Sequence, residues 1–436
     1  MCPISYCTLC IVRAASRRVK SLKVIAVRGK PLDFSESPTR RDDSSEEPQI
    51  HEAVKVTGAV VFDDDERLMP LMSGYLSHAL QTAQISQQTA ITYGRNLGYT
   101  CEYLMNRREF QDCERDSAFL EIRTHVIEEY FAHLREEDEL SKKTVRNRDS
   151  SLMAFFNDSL CRGVDDAPAP RTAPNPYTAG YLSPRPNKNL VVACSLNDLR
   201  ELILATQSER ERCLLQFMYD AGLRRSEVPR VTLKAIDDAL RFQDTLFISP
   251  GVTEPVNADY CPLHIDGSKG PADSFKPRQT LVSRATLLRI NKYHASPLYK
   301  MTKRQFSGAE NTPAFLNAEG GEYTPRSISK LLERTSERAL NLLKIDRMIS
   351  PHKLRHGNAY ALLRTSDIGT DYLDRLVIVQ KTLGHSRLST SETYTQIPYD
   401  LYQKFVRPGT ETKTKAGEMA ELSQQTRLKI DAGDMK

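Results

Sequence analysis

Residues 383–397 read LGHSRLSTSETYTQI, which places Tyr394 nine residues after His385. A tyrosine at that distance from a histidine means little alone. Upstream, however, SPHKLRH at 350–356 supplies His352 and Arg355, and DAGLRRSEV at 220–228 supplies Arg224. Two arginines, two histidines and a tyrosine in that order suit phosphodiester chemistry. Guanidinium forks hold two phosphate oxygens and stay charged at any working pH. A tyrosine hydroxyl is a competent covalent nucleophile.

Local signals place these residues on definite elements. Ser350, Pro351 and His352 read as N-cap, N1 and N2 of a helix, because proline suits N1. His352 and Arg355 are then three apart and share a face. Ser389 and Glu392 form an S-x-x-E capping pattern that sets Tyr394 just inside a short helix. Its neighbours Thr393 and Thr395 are poor interior helix formers, so the tyrosine is expected to move in and out of the site. In HIDGSKGPADSFKPRQTLVS, residues 264–283, the runs around Leu263–Ile265 and Thr280–Val282 read as two strands. Gly267, Gly270 and Pro271 punctuate the turn between them.

The run GLRRSE, then HKLRH, then LGHSRLSTSETY resembles the catalytic half of the tyrosine recombinases, the phage-integrase family. The resemblance covers roughly residues 190–406. It implies that Tyr394 attacks a DNA phosphate and forms a 3′-phosphotyrosyl link, with Arg224 and Arg355 holding the non-bridging oxygens. Fixed positive groups aimed at developing charge usually supply the largest catalytic effect. The leaving 5′-oxygen needs a proton. In the family that acid is a lysine on a β-hairpin after the first arginine. Lys269 follows the first strand as the family lysine does, and Lys276 in the same loop stays open as the alternative. Glu227, in GLRRSE, is expected to orient an arginine or histidine rather than react, and the resemblance implies that His385 hydrogen-bonds the phosphate. It implies no metal and no nucleotide cofactor, since the covalent link conserves the bond energy.

Outward from the motifs, composition sets the organisation. Residues 1–65 are polar and charge-rich, and read as a mostly disordered extension. Residues 66–164 show four segments of helical periodicity, carrying Leu76 and Leu80, Leu97 and Cys101, Val126 and Tyr130, and Leu152 and Phe155. They resemble the core-binding domain of the same family, with SKKTVRNRDSSLMAFF similar to its last helix. Lys142, Lys143, Arg146 and Arg148 form the basic start of that helix and are the expected DNA face. Residues 165–190 are proline-rich, which excludes helix and reads as an extended linker. The expected catalytic domain is 191–407, opening at Ser195 and Asp198, a capping pair. Asp400–Val406 is a short amphipathic piece, which the resemblance docks on a neighbouring subunit through Leu401 and Phe405. Residues 408–436 read as a polar tail, either disordered or a frayed helix. The fold class is therefore mainly α with a small β-hairpin: a helical core-binding (SAM-like) domain and a mixed α+β catalytic domain.

Length and composition agree. The 436 residues suit two to three domains. No apolar run reaches the span of a membrane helix. Nine cysteines are scattered, and no second C-x-x-C accompanies Cys7 and Cys10, so a reduced cytoplasmic setting beside the nucleoid is expected. The net charge of +5 says little about the core: residues 1–41 hold nine Lys/Arg against Asp33 and Glu36, a net of +7, so the remainder is about −2. The partners implied are double-stranded DNA, three further copies of the chain on paired sites, and accessory DNA-binding proteins, with no membrane. A type IB topoisomerase, a hairpin telomere resolvase and an idle recombinase-derived DNA-binding protein share parts of this residue set.

Overall fold

The computed structural model describes residues 22–31, 55–163, 168–186, 192–241, 259–269, 275–365, 367–368, 372–384 and 414–428. The chain divides into two compact units, with the boundary between Lys188 and Asn189. The first contains strands β1 (Lys23–Pro31) and β2 (Lys55–Phe62). Five helices follow: α1 (Pro70–Gln81), α2 (Gln87–Met105), the single turn α3 (Ala118–Glu121), α4 (Thr124–Glu136) and α5 (Lys142–Phe155). The four expected helical segments are all present. Ser86 and Ser141 cap α2 and α5 by accepting from Thr89 N and Thr144 N. Leu76, Leu97, Tyr130, Leu152 and Phe155 meet in one buried core.

The segment expected to be mostly disordered holds a hairpin instead. β1 and β2 pair antiparallel, with Ala26 opposite Ala59. The outer edge of β2 is satisfied by side chains of α1 spaced four apart. Ser73 Oγ accepts from Val61 N, Ser77 Oγ accepts from Ala59 N, and Gln81 Nε2 donates to the Thr57 carbonyl. On α2, a Cβ at Gly94 would stand 2.7 Å from Val24, and one at Gly98 would stand 2.9 Å from Leu22. Two glycines inside a helix cost about 1 kcal/mol each. Here they let the strand lie close.

The proline-rich stretch is not a free linker either. Its described residues, 168–186, form no helix or strand, as the prolines require, but they pack on the helical unit. Arg171 is buried and donates to the carbonyls of Phe119, Leu120 and Ile122. Asp149 accepts from both the Ser183 N–H and its hydroxyl.

The second unit opens with α6 (Leu196–Leu204), where Ser195 and Asp198 form the expected capping box. Then come α7 (Glu209–Asp220), α8 (Leu233–Arg241), β3 (Tyr260–Lys269), β4 (Phe275–Ser283), α9 (Arg284–His294), α10 (Pro297–Thr302), α11 (Gly308–Asn311) and α12 (Pro325–Asn341). It closes with α13 (Pro351–Arg364), α14 (Tyr372–Leu383) and α15 (Lys415–Thr426). The apolar stripe of α12 is buried at Ile328, Leu331, Leu332, Thr335 and Ala339. Leu342 lies past the helix end and is 64% exposed. The two expected strands are antiparallel, with Leu263 opposite Thr280. Gly267 marks a register shift inside β3 rather than the turn.

The tail also departs from expectation, because α15 is packed within its own chain. The Lys415 ammonium, fully buried, pairs with Asp220 at 2.7 Å, and Asp220 in turn accepts from Ser283 N and Oγ. At the other end, Arg289 donates to Thr426 and pairs with Glu209 at 2.7 Å. Among the described residues, no helix is long and apolar enough to cross a membrane.

Candidate active site

The site is organised around a turn at the end of α7. This helix is buried along its whole length, so the chain leaves it in the middle of the unit. Gly222 takes φ +58 there, and a Cβ on it would stand 2.4 Å from Asn358 Nδ2 and 2.9 Å from Leu383 Cδ2. Glycine alone combines that backbone with that approach. The turn delivers Arg224 and Glu227.

Glu227 is fully buried, while the Arg224 side chain is 30% exposed. The carboxylate accepts from Arg224 N at 2.8 Å and from Arg224 Nη1 at 2.9 Å. It also accepts a fork from Arg278 on β4, Nε at 3.1 Å and Nη2 at 2.7 Å. Burial pushes the Glu227 carboxyl up. The hydrogen bonds and charge of Arg278, joined by those of Arg224, outweigh it and hold the pKa at about 2. The carboxylate therefore stays ionised through the neutral range and keeps the Arg224 guanidinium in place.

α13 begins where the sequence placed it, with Ser350 as N-cap and Pro351 in the first turn, although the Ser350 hydroxyl makes no cap bond. His352 is exposed on that first turn. Its ring meets the His356 ring edge-on, 4.1 Å between centroids. Arg355 is only 2% exposed. Its Nη1 donates to the Gly222 carbonyl at 2.6 Å and its Nη2 to the Leu383 carbonyl. One guanidinium thus joins the turn that carries Arg224 to the end of α14, two residues before His385. Close packing fixes α13 itself: a Cβ at Gly357 would stand 2.3 Å from the Cys194 carbonyl.

The lysine hairpin is braced from the same turn. Arg230 Nη1 donates to the Gly267 carbonyl at 2.7 Å, and its guanidinium lies 3.6 Å from the centre of the Phe275 ring. Lys269 ends β3 opposite Phe275, while Lys276 is exposed opposite Ser268. Arg224, Glu227 and Arg355 are thus brought together, with His352 on the first turn of the same helix as Arg355. His385 and Tyr394 lie outside the described residues, as do Leu401 and Phe405. Sequence reasoning missed Arg230 and Arg278. An arginine in a polar stretch reads as surface charge, and the partners lie 37 residues away for Arg230 and 51 for Arg278.

In the first unit, Lys142 and Lys143 are exposed at the start of α5. The other two basic residues of that helix brace the unit. Arg146 donates to the Ser183 carbonyl at 2.6 Å and stacks 3.5 Å from the Tyr181 ring centre. Arg148 donates to Tyr130 Oη at 3.1 Å and lies 4.3 Å from the Tyr99 ring centre.

No family model matches the chain. Similar curated proteins are the tyrosine recombinase XerC of Anoxybacillus flavithermus, 26% identical over 326 residues, covering 72% of this chain and 89% of that protein. The tyrosine recombinase XerD of Halalkalibacterium halodurans is 23% identical over 318 residues, covering 72% and 88%. Among solved structures, the XerH site-specific recombinase bound to palindromic difH substrate, a post-cleavage complex, aligns with a TM-score of 0.50 and 17% identity, over 73% of this chain and 79% of that one. The Tn1549 transposon integrase in complex with transposon right end DNA aligns with a TM-score of 0.50 and 14% identity, over 77% and 97%.

Proposed function

We propose that the chain is a site-specific recombinase of the tyrosine recombinase family, also called the phage-integrase family, that cleaves and rejoins DNA, a reading supported by its likeness to curated tyrosine recombinases over 72% of its length. Tyr394 attacks the scissile phosphate. Tyr394 Oη gives up its proton to solvent as its bond to phosphorus forms, the phosphorus–5′-oxygen bond breaks, and Lys269 protonates the departing oxygen. The 5′-hydroxyl of a partner duplex then reverses the step and releases the tyrosine. Bond energy is conserved throughout, so the reaction draws on no nucleotide hydrolysis.

The observation that carries this reading is the junction at Gly222. One turn sets Arg224 on its buried carboxylate and is bonded to Arg355. Two guanidinium groups anchored on one turn form a fixed clamp for the two non-bridging oxygens. Such a clamp needs no reorganisation as charge builds up. His352, on the first turn of α13, stands where a helix favours an anion, and His385 adds a hydrogen bond. Lys142 and Lys143, with Arg146 and Arg148 behind them, contact the DNA backbone.

Four protomers assemble on two DNA sites, with accessory DNA-binding proteins setting direction, in the cytoplasm beside the nucleoid. The decisive test against a topoisomerase reading uses two duplexes of different length, each carrying the native site, one of them end-labelled. The expected result is a recombinant strand of hybrid length on a denaturing gel. Relaxation of supercoiled plasmid with no hybrid strand would overturn the recombinase reading in favour of same-strand rejoining.

A further inference from the structure

The strongest observation that the reaction scheme leaves unused is Arg278. It stands on β4, the second strand of the lysine hairpin, with its side chain 7% exposed against a fully buried Glu227. Its fork takes both oxygens of that carboxylate, at 3.1 and 2.7 Å. Its remaining terminal nitrogen donates to the Thr382 carbonyl on the last turn of α14. Gly384, at φ +61, lies against the same side chain, so close that a Cβ there would stand 2.8 Å from Arg278 Cδ. One residue therefore touches three parts of the site: the carboxylate beneath Arg224, the end of the helix that leads to His385, and the hairpin that ends in Lys269.

We propose that Arg278 is a positioning residue for DNA cleavage, holding Arg224 through Glu227 and fixing the end of α14 beside them. This rests on the recombinase reading and deepens it. The physical case follows from the burial. A carboxylate with no exposed surface must be charge-compensated, and Arg224, 30% exposed, serves the phosphate as well. A second guanidinium satisfies the carboxylate from below, so Arg224 is oriented without being neutralised by a lone partner. The bidentate fork adds direction to the charge. The bond to the Thr382 carbonyl carries the same register to the approach of His385.

The test uses the full chain, a suicide duplex bearing the native site, and single-turnover formation of the covalent adduct. Arg278→Gln is expected to lower the rate constant about 10²-fold, the loss that a misplacement near 1 Å produces, with DNA affinity and adduct amplitude retained. Arg278→Lys keeps charge and stem but loses the fork, so it is expected to fold and fall between the two. A second substrate, with a neutral methylphosphonate at the scissile position, separates positioning from bulk structure. It places less negative charge on the arginines, so the Arg278→Gln penalty is expected to shrink severalfold on it. An equal penalty on both substrates, or a wild-type rate in Arg278→Gln, would overturn the proposal. If the unaltered protein forms no adduct at all, the recombinase reading fails and Arg278 loses its role with it.

Discussion

Tyr394→Phe is expected to abolish the covalent protein–DNA adduct while DNA binding stays within about threefold of the unaltered protein. The change removes one oxygen and leaves the ring and the net charge as they were. Nothing else in the scheme can take the nucleophile's place, because a bond to phosphorus is what splits one difficult step into two reversible ones. The surrounding stretch contains two further tyrosines, Tyr399 and Tyr402. Tyr399→Phe and Tyr402→Phe are expected to keep the adduct, which makes the three substitutions an internal control. Denaturing gels of the suicide-duplex reaction read the adduct, and gel shifts read the binding.

Arg355→Ala is expected to slow adduct formation by about 10³-fold, at the upper end for loss of a preorganised donor. Two losses combine in it. The phosphate loses half of its clamp. The carbonyls of Gly222 and Leu383 also lose the guanidinium that joins them, so the turn under Arg224 and the end of α14 are no longer tied. A buried carbonyl left without a partner costs about 1–3 kcal/mol, so a lower melting temperature should accompany the kinetic defect. Arg355→Lys restores a charge but cannot bond two carbonyls in one plane, and is expected to recover little. Cleavage by Arg355→Ala within tenfold of the unaltered rate would contradict the clamp.

The elements under the candidate site were legible where a residue type comes with a local signal. Pro351 announces the start of α13, and the runs at Leu263–Ile265 and Thr280–Val282 announce the hairpin. Helices were legible where one face meets a core, as at Leu97 and Cys101 or Leu152 and Phe155. What escaped reading depends on partners far away in sequence. β1 is a short strand whose mate begins beyond a charged stretch, and the edge of β2 is closed by Ser73 and Ser77, hydroxyls that read as solvent-facing. Arg171 looks like a linker residue until three carbonyls some fifty positions upstream receive it. Lysine is almost never fully buried unless paired, and the pair that buries Lys415 lies at Asp220. The tail was therefore read as a polar segment, either disordered or a frayed helix. Arg278 belongs to the same class, a charge whose meaning is set by a carboxylate elsewhere.

The most direct test of the central claim is the identity of the residue that carries DNA after cleavage. The adduct formed by the unaltered protein on a suicide duplex is digested with nuclease and trypsin and sequenced by mass spectrometry. The tryptic fragment 388–404, between Arg387 and Lys404, holds all three candidate tyrosines. The account predicts a nucleotide joined through its 3′-phosphate to Tyr394. A 5′-linked nucleotide, a modification on any other residue, or tight binding to the site with no covalent product would contradict it.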